Sequence, residues 1–200
     1  MSVRHSARAD MIPPMVYLFL LACIPELTSP SVGACSEGQP DNDWIHGDPP
    51  TNLVGSGFGI GEIVEDQCIP DQNGDLVSLW QFYGSVWVLD VSTIWCQPCQ
   101  DLARGLQEIA DTYESEGFVY LTVLAQDLGT DVPDQGELEK WGEDFQIASP
   151  IVADTVGFTG GVVRNGAYPA LLIIDRELRV LERLDVPDDA LIADAIERAL

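Results

Sequence analysis

Two cysteines separated by two residues, in the run Trp95-Cys96-Gln97-Pro98-Cys99, are the residues of this chain best suited to chemistry. They follow an apolar, strand-like run at residues 86–91 and precede a segment with helical spacing. The N–H groups and the dipole of a helix N-terminus favour the thiolate form of the first cysteine. The second sulfur lies one helical turn further on, within reach of a disulfide, and a proline is tolerated in that first turn. The pair therefore predicts thiol–disulfide exchange.

Two structural roles compete with redox chemistry at this pair, namely half of a zinc site and an inert disulfide. Zinc needs two more ligands, and beyond the N-terminal segment the chain offers only Cys35, Cys68 and His46, without a second paired spacing. We therefore expect no metal and no other cofactor, while the inert disulfide stays open.

The composition limits the classes of partner. With 9 basic and 33 acidic residues the formal net charge is −24, so repulsion disfavours nucleic acid and anionic membrane surfaces as partners. Solubility accounts for the acidity, and a cationic partner stays open. The hydrophobic content of 46% is enough for one sizeable core.

Residues 1–34 resemble an export signal, because two arginines precede a short apolar run that ends in small residues. The run is too short for a confident membrane span. The sequence Leu20-Leu21-Ala22-Cys23 resembles a bacterial lipobox, which makes Cys23 a candidate for lipidation and a lipid anchor. Val32-Gly33-Ala34-Cys35 offers a second lipobox or a signal-peptidase junction. We expect an exported protein, either periplasmic or lipid-anchored at the bacterial envelope.

Cysteine parity helps to choose between these sites. If Cys23 is lipidated or removed, Cys96 pairs with Cys99 and Cys35 pairs with Cys68. If Cys35 carries the lipid, Cys68 is left unpaired in an oxidising compartment. We predict a structural disulfide between Cys35 and Cys68, with a buried, unbonded Cys68 as the alternative.

The remaining chain divides into a lead-in and one domain. Residues 35–61 are rich in Gly, Pro, Asp and Asn, which indicates a tether, and the domain is predicted to span residues 62–200. A hairpin is expected around the Asn73-Gly74 turn. Further strands are predicted at 86–91, 118–124, 170–174 and 180–184, with helices from about Pro98, across Leu138, Trp141 and Phe145, and from about Pro187. This order predicts an α/β fold with a mixed central sheet covered by helices on both faces.

Three features of residues 61–200 resemble the thioredoxin-like fold, specifically the exported TlpA/ResA-type thiol–disulfide oxidoreductases. The first is the run Trp95 to Cys99. The second is Tyr168-Pro169 before a strand, similar to the family's cis-proline, and the third is Asp90, similar to the buried acid of thioredoxin. The resemblance implies the thioredoxin-like fold with an N-terminal hairpin extension.

The resemblance also implies a role for each residue. Cys96 would attack a substrate disulfide and Cys99 would resolve the mixed disulfide. Asp90 would exchange a proton with Cys99, or else be a strand-end residue that reaches water or caps a loop. Pro169 would leave the backbone of Tyr168 free to pair with an extended substrate.

The residues around the sulfurs are expected to contact substrate, and two of them depart from the family pattern. Trp95 and Pro98 match the pattern, although a packing role for Trp95 stays open. Gln97 replaces the usual glycine or glutamate, and Tyr168 replaces a smaller residue. The strand at 118–124 carries no lysine to partner the buried acid.

We therefore predict an extracytoplasmic thiol–disulfide oxidoreductase that reduces protein disulfides and is reset by an unidentified redox partner. One alternative is a peroxiredoxin-like thiol peroxidase, because Thr93 stands three residues before Cys96, although Leu89 replaces that group's proline. Another is a metal chaperone on the same fold, which the absence of any histidine after Cys99 disfavours. A binding module with a vestigial cysteine pair stays open.

Overall fold

The structure is a computed structural model that describes residue 35 and residues 41–200. The predicted export signal, with Cys23, lies outside the described residues. The strands are β1 (Cys68–Pro70), β2 (Leu76–Ser78), β3 (Val86–Ser92), β4 (Phe118–Leu124), β5 (Ile151–Ala153), β6 (Ala170–Ile174) and β7 (Val180–Asp185). The helices are α1 (Gln97–Tyr113), α2 (Gln135–Phe145), α3 (Thr159–Val162) and α4 (Asp189–Ala199), with 3₁₀ turns at Leu79–Phe82 and Glu114–Glu116.

Five strands form one mixed sheet in the order β5-β4-β3-β6-β7. β3, β4 and β5 run parallel, whereas β6 is antiparallel to both β3 and β7. β3 is central, and all of its residues are buried. The fold class predicted from the sequence is therefore confirmed, and β5 and α3 are elements that the sequence did not predict.

Alternation along β3 divides the core into two layers. Val86 and Val88 face a layer built with α1, α2 and α4, which also contains Cys96 and Cys99. Trp87, Leu89 and Val91 face the other layer, which the hairpin, the first 3₁₀ turn and α3 cover. The three longer helices thus share one layer, and short elements close the other.

The predicted N-terminal hairpin is present as an antiparallel pair, β1 with β2. Asp71 organises its turn, because its carboxylate accepts hydrogen bonds from the backbone N–H groups of Asn73 and Asp75, both at 2.9 Å. The same carboxylate accepts a bond of 2.6 Å from the indole Nε1 of Trp44. The lead-in, which contains Trp44, thus lies against the hairpin. The backbone N–H of Gly47, also in the lead-in, donates to the carbonyl of Gln81 at 2.6 Å.

No helix within residues 35 and 41–200 has the length and apolar character needed to cross a lipid bilayer.

Candidate active site

Cys96 is the N-cap of α1, immediately beyond the C-terminal end of the central strand β3. Its sulfur accepts a hydrogen bond of 3.2 Å from the backbone N–H of Cys99. The first turn of α1 contains Pro98 and no acidic residue. The partial positive charge of the helix end is therefore not offset locally, and it favours a thiolate at Cys96.

Cys96 and Cys99 form a disulfide with an S–S distance of 2.17 Å. Cys96 is 4% exposed and Cys99 is 1% exposed, so Cys96 is the more accessible sulfur by a small margin. Gln97 and Pro98, between them, are exposed. The Gln97 amide donates to Asp101 at 3.0 Å on the outer surface of α1. The two residues between the cysteines thus form the solvent side of the site.

Trp95 and Tyr168 border the cysteine pair as a contacting aromatic pair. Their ring centroids are 5.8 Å apart in an edge-to-face arrangement, and Trp95 is 44% exposed. The indole Nε1 of Trp95 donates to the side-chain oxygen of Gln126, beyond β4, at 3.1 Å. These contacts bring together two residues that are 73 positions apart and were predicted separately as substrate contacts.

The Tyr168–Pro169 peptide bond is cis. Pro169 is buried and immediately precedes β6, whose first residue, Ala170, pairs with Val91 of β3. The carbonyl of Pro169 accepts a hydrogen bond of 3.0 Å from the N–H of Val186. Burial and the nearby charge of Asp154 raise the pKa of the Tyr168 phenol.

Asp90 lies in β3 and is 2% exposed. Burial raises the pKa of Asp90 from its ordinary value of 3.8 to about 7, although hydrogen bonds from Ser92 and Tyr120 act in the lowering direction. By strand alternation Asp90 points to the same layer as Val86 and Val88, which is the layer of the two cysteines. A carboxyl with this pKa is partly ionised at neutral pH and can accept or release a proton.

The hydrogen-bond partners of Asp90 were not predicted. The Ser92 hydroxyl donates to Asp90 Oδ1 at 2.8 Å, and the Tyr120 hydroxyl donates to Asp90 Oδ2 at 3.4 Å. Burial and the charge of Asp90 raise the pKa of the Tyr120 phenol well above its ordinary value, so it stays a neutral donor. Asp90 is thus bound by two neutral hydroxyls, and the strand at 118–124 contributes no lysine to it, as the sequence indicated.

The second cysteine pair lies on the hairpin. Cys35 and Cys68 form a disulfide with an S–S distance of 2.15 Å, and Cys68 begins β1. Within the described ranges, no group of three or more His, Cys, Asp or Glu side chains is arranged to hold a metal ion.

Three solved structures illustrate the fold that this chain shares. The first, from Chlorobium tepidum and assigned as a thiol:disulfide interchange protein DsbE, has 23% identity and a TM-score of 0.61, over 71% of this chain and 98% of that one. The thioredoxin domain of a thiol-disulfide oxidoreductase from Bacteroides vulgatus has 19% identity and a TM-score of 0.59, and the match covers 70% of this chain and 96% of that one. A secreted Mycobacterium tuberculosis disulfide oxidoreductase homologous to Escherichia coli DsbE has 14% identity and a TM-score of 0.54, and the match covers 66% of this chain and 94% of that one. These similarities show a thioredoxin-like fold.

No curated protein matches the sequence. A scan against protein families matches residues 60–183, more than half of the chain, to the AhpC/TSA family. This match and the shared fold confirm the resemblance that Trp95 to Cys99, Tyr168-Pro169 and Asp90 indicated. The chain therefore belongs to the AhpC/TSA family and carries, on a thioredoxin-like fold, a cysteine pair at disulfide distance.

Proposed function

We propose that this protein is an extracytoplasmic thiol–disulfide oxidoreductase that reduces disulfides in other proteins. The observation that carries the proposal is the position of Cys96, which caps α1 and is bonded to Cys99 beside the Trp95–Tyr168 pair. The resemblance to TlpA/ResA-type proteins supports the reducing direction.

The proposed exchange begins with the reduced pair. The Cys96 thiolate attacks a substrate disulfide, forms a mixed disulfide and releases one substrate thiolate. Cys99 then loses its proton, attacks the Cys96 sulfur and releases the second substrate thiolate. Two electrons pass to the substrate, and the protein is left with the Cys96–Cys99 disulfide.

Asp90 is proposed to take the proton that Cys99 loses. A carboxyl with a pKa of about 7 is present in both forms at neutral pH, so it can accept that proton and return it when the pair is reduced again. Its position in the cysteine layer, beneath α1, supports this role.

The substrate is proposed to bind across Trp95, Gln97, Pro98, Tyr168 and Pro169. Trp95 offers a large half-exposed ring, and Gln97 and Pro98 are exposed. An extended substrate segment could pair with the backbone at Tyr168, next to the strand end.

A redox titration with a glutathione or dithiothreitol buffer, read by thiol alkylation, tests the proposal. We expect a reversible two-electron couple at a strongly reducing potential that is lost in Cys96→Ser and Cys99→Ser. Cys99→Ser should accumulate mixed disulfides with protein substrates, whereas the matched Cys96→Ser variant should accumulate none. Thiols that never oxidise would exclude the enzymatic role, and an oxidising potential would reverse the proposed direction.

Export and attachment are part of the same proposal. Of the five cysteines, four are bonded in pairs, which leaves Cys23 as the candidate for lipidation. Mass spectrometry of the mature chain from bacterial membranes should find a lipid-modified N-terminal Cys23, and Cys23→Ser should release the protein from the membrane fraction. A mature chain that begins after Cys23 and carries no lipid would refute the anchor.

A thiol peroxidase is the second candidate, favoured by the AhpC/TSA match and by Thr93. The Thr93 hydroxyl is buried and has no hydrogen-bond partner among the described residues, and the Thr93 carbonyl accepts a bond of 3.2 Å from the Cys96 N–H. In this reaction the Cys96 thiolate takes an oxygen from hydrogen peroxide and releases hydroxide, and Cys99 condenses with the sulfenic acid and releases water. Peroxide consumption that Cys96→Ser abolishes and Thr93→Val slows would support it.

A further inference from the structure

The backbone that leads to the first cysteine is paired with the segment that follows β4. Beyond the end of β4, the N–H of Ala125 donates to the carbonyl of Ser92 at 2.9 Å. The N–H of Ile94 then donates to the carbonyl of Gln126, also at 2.9 Å. The parallel pairing of β3 and β4 thus continues past both strand ends, and it fixes the backbone of Gln126 next to the residue that precedes Trp95.

The turn directly after Gln126 is also held by hydrogen bonds. Asp127 Oδ1 accepts from the backbone N–H groups of Gly129 and Asp131, at 2.7 Å and 2.8 Å. The N–H of Asp127 donates to the carbonyl of Asp131 at 2.8 Å. Gln126 therefore lies between a paired backbone segment and a closed turn, so its side chain starts from a fixed position.

The side chain of Gln126 binds Trp95. The indole Nε1 of Trp95 donates to Gln126 Oε1 at 3.1 Å. An indole nitrogen can only donate, so the amide of Gln126 must present its oxygen to the ring. One residue thus holds the segment before Cys96 twice, through its carbonyl to Ile94 and through its side chain to Trp95.

Trp95 is held at two points of its ring, although 44% of the residue is exposed. Gln126 accepts from the indole N–H, and Tyr168 contacts the ring edge to face with the centroids 5.8 Å apart. A half-exposed side chain without such contacts samples several rotamers, and a partner that packs on it must restrict them at a cost in free energy. A ring that is fixed in advance avoids most of that cost.

We propose that Gln126 is a positioning residue, which holds the Trp95 ring in the orientation on which a polypeptide substrate packs beside its disulfide. This inference rests on the thiol–disulfide exchange proposed above and extends its substrate site to the segment after β4. It implies a preference for polypeptide disulfides over small ones, because a small disulfide reaches Cys96 without packing along the ring.

The test is a single-turnover reaction of the reduced protein with two uncharged disulfides, quantified after acid quenching. One is a peptide with an intramolecular disulfide and extended flanking segments, and the other is hydroxyethyl disulfide. The measured quantity is the ratio of the second-order rate constant for the peptide to that for hydroxyethyl disulfide, so an effect on the cysteines alone cancels. We expect Gln126→Leu to lower this ratio about fivefold, as for the loss of one hydrogen bond. The loss should appear as a higher half-saturating peptide concentration rather than as a lower limiting rate.

Matched variants assign the effect to the bond between Trp95 and Gln126. Gln126→Glu keeps an acceptor oxygen at the same reach and should restore most of the ratio. The control Gln135→Leu makes the same change at an exposed position on α2 and should leave the ratio unchanged. In a Trp95→Phe background, which lacks the indole N–H, Gln126→Leu should have no further effect. Each variant keeps the backbone bond between Ile94 and Gln126, and circular dichroism checks its folding.

The indole N–H signals give a spectroscopic readout of the same bond. The chain has five tryptophans, and the Trp95 signal in a nitrogen–proton correlation spectrum is the one that Trp95→Phe removes. Exchange of this N–H with water should be faster in Gln126→Leu than in the native chain, and Gln126→Glu should restore slow exchange.

Three results would overturn the inference. A ratio that is unchanged in Gln126→Leu would mean that the bond to Trp95 does not affect the peptide reaction. A Gln126→Glu variant with native exchange at Trp95, but with a ratio as low as that of Gln126→Leu, would mean that Gln126 does not act through the ring. Both results leave the exchange reaction itself intact. Failure of the native protein to reduce either disulfide would exclude the proposed function, and this inference with it.

Discussion

Replacing Asp90 with asparagine should stabilise the protein increasingly as the pH rises. Asp90 is buried, and its pKa is about 7 in the folded chain against an ordinary value of 3.8. Between these two values the folded state binds a proton that the unfolded state has released. Stability from the neutral carboxyl is therefore greatest at low pH, falls as the pH rises from about 4 to about 7, and is level above that range.

The magnitude follows from the two pKa values. The free energy of unfolding lost through the ionisation of Asp90 is about 1.5 kcal/mol at pH 5 and about 4 kcal/mol at pH 8. The amide side chain of the variant cannot ionise, so the difference in unfolding free energy between Asp90→Asn and the native chain should increase by about 2.5 kcal/mol over this interval. The hydroxyls of Ser92 and Tyr120 can rotate to accept from the new amide.

The assay is urea unfolding of the oxidised protein at a series of pH values, followed by circular dichroism. The chain has many other carboxylates, so the quantity of interest is the difference between the variant and the native chain at each pH. Asp111→Asn, on the exposed surface of α1, controls for the loss of one charge. A difference for Asp90→Asn that stays constant from pH 5 to pH 8, or that matches the control, would refute the raised pKa of Asp90 and its proposed proton transfer.

Three further substitutions test the framework of the site by urea unfolding. Replacing Cys35 and Cys68 together by serine should lower the unfolding free energy by about 3–4 kcal/mol, because their disulfide spans a sequence separation of 33 residues; an unchanged value would mean that the bond is not formed. Gly47→Ala should lower the unfolding free energy by at least about 1–3 kcal/mol, because a Cβ there would overlap the carbonyl oxygen of Tyr83. A neutral effect would mean that the lead-in is not packed there. Asp154→Asn should lower the unfolding free energy by about 1–3 kcal/mol. One oxygen of this buried carboxylate accepts hydrogen bonds from the N–H and the hydroxyl of Thr159, and an amide nitrogen in its place could only donate. Unchanged stability would refute that network.

The longer elements could be predicted because their patterns are long enough to show a period. The apolar runs at 118–124 and 170–174 match β4 and β6 at both ends. The apolar residues that follow Pro98 at helical spacing are all buried in α1: Leu102, Leu106, Ile109, Ala110 and Tyr113. β5 has three residues and α3 has four, too few for either pattern to repeat. β5 depends on parallel pairing with β4, a contact between distant segments that no local pattern contains.

The features of the site also fall into those that local sequence shows and those that depend on contacts between distant segments. The cysteine spacing and the cis bond at Tyr168-Pro169 are local, and both were expected from the sequence. Ser92 could have been identified as a partner of Asp90, since alternate residues of a strand share a face. Tyr120 could not, because its position depends on the pairing of Val88 with Tyr120 in neighbouring strands.

The side of the sheet on which Arg183 lies depends on strand register in the same way. Its side chain, on β7, is 5% exposed. A bulge shifts the pairing of β6 and β7 from Ile174–Val180 to Ile173–Glu182, so Leu181 has no partner. Simple alternation from Val180 would place Arg183 in the α4 layer, whereas the bulge places it opposite Leu172, in the other layer. One extra residue in an edge strand thus decides on which side of the sheet a buried charge lies.

Neutral hydrogen-bond partners explain why Asp90 is suited to proton transfer at neutral pH. A lysine beside a buried carboxylate would favour its ionised form and lower its pKa. Ser92 and Tyr120 donate hydrogen bonds without a full positive charge, so they only partly offset the cost of burying the carboxylate. With two hydroxyls and no charged partner, the pKa of Asp90 is therefore about 7, which suits the proton transfer proposed with Cys99. In the proposed exchange, the helix end would stabilise the Cys96 thiolate for the attack on the substrate, and Asp90 would take the proton of Cys99 for the release of the product.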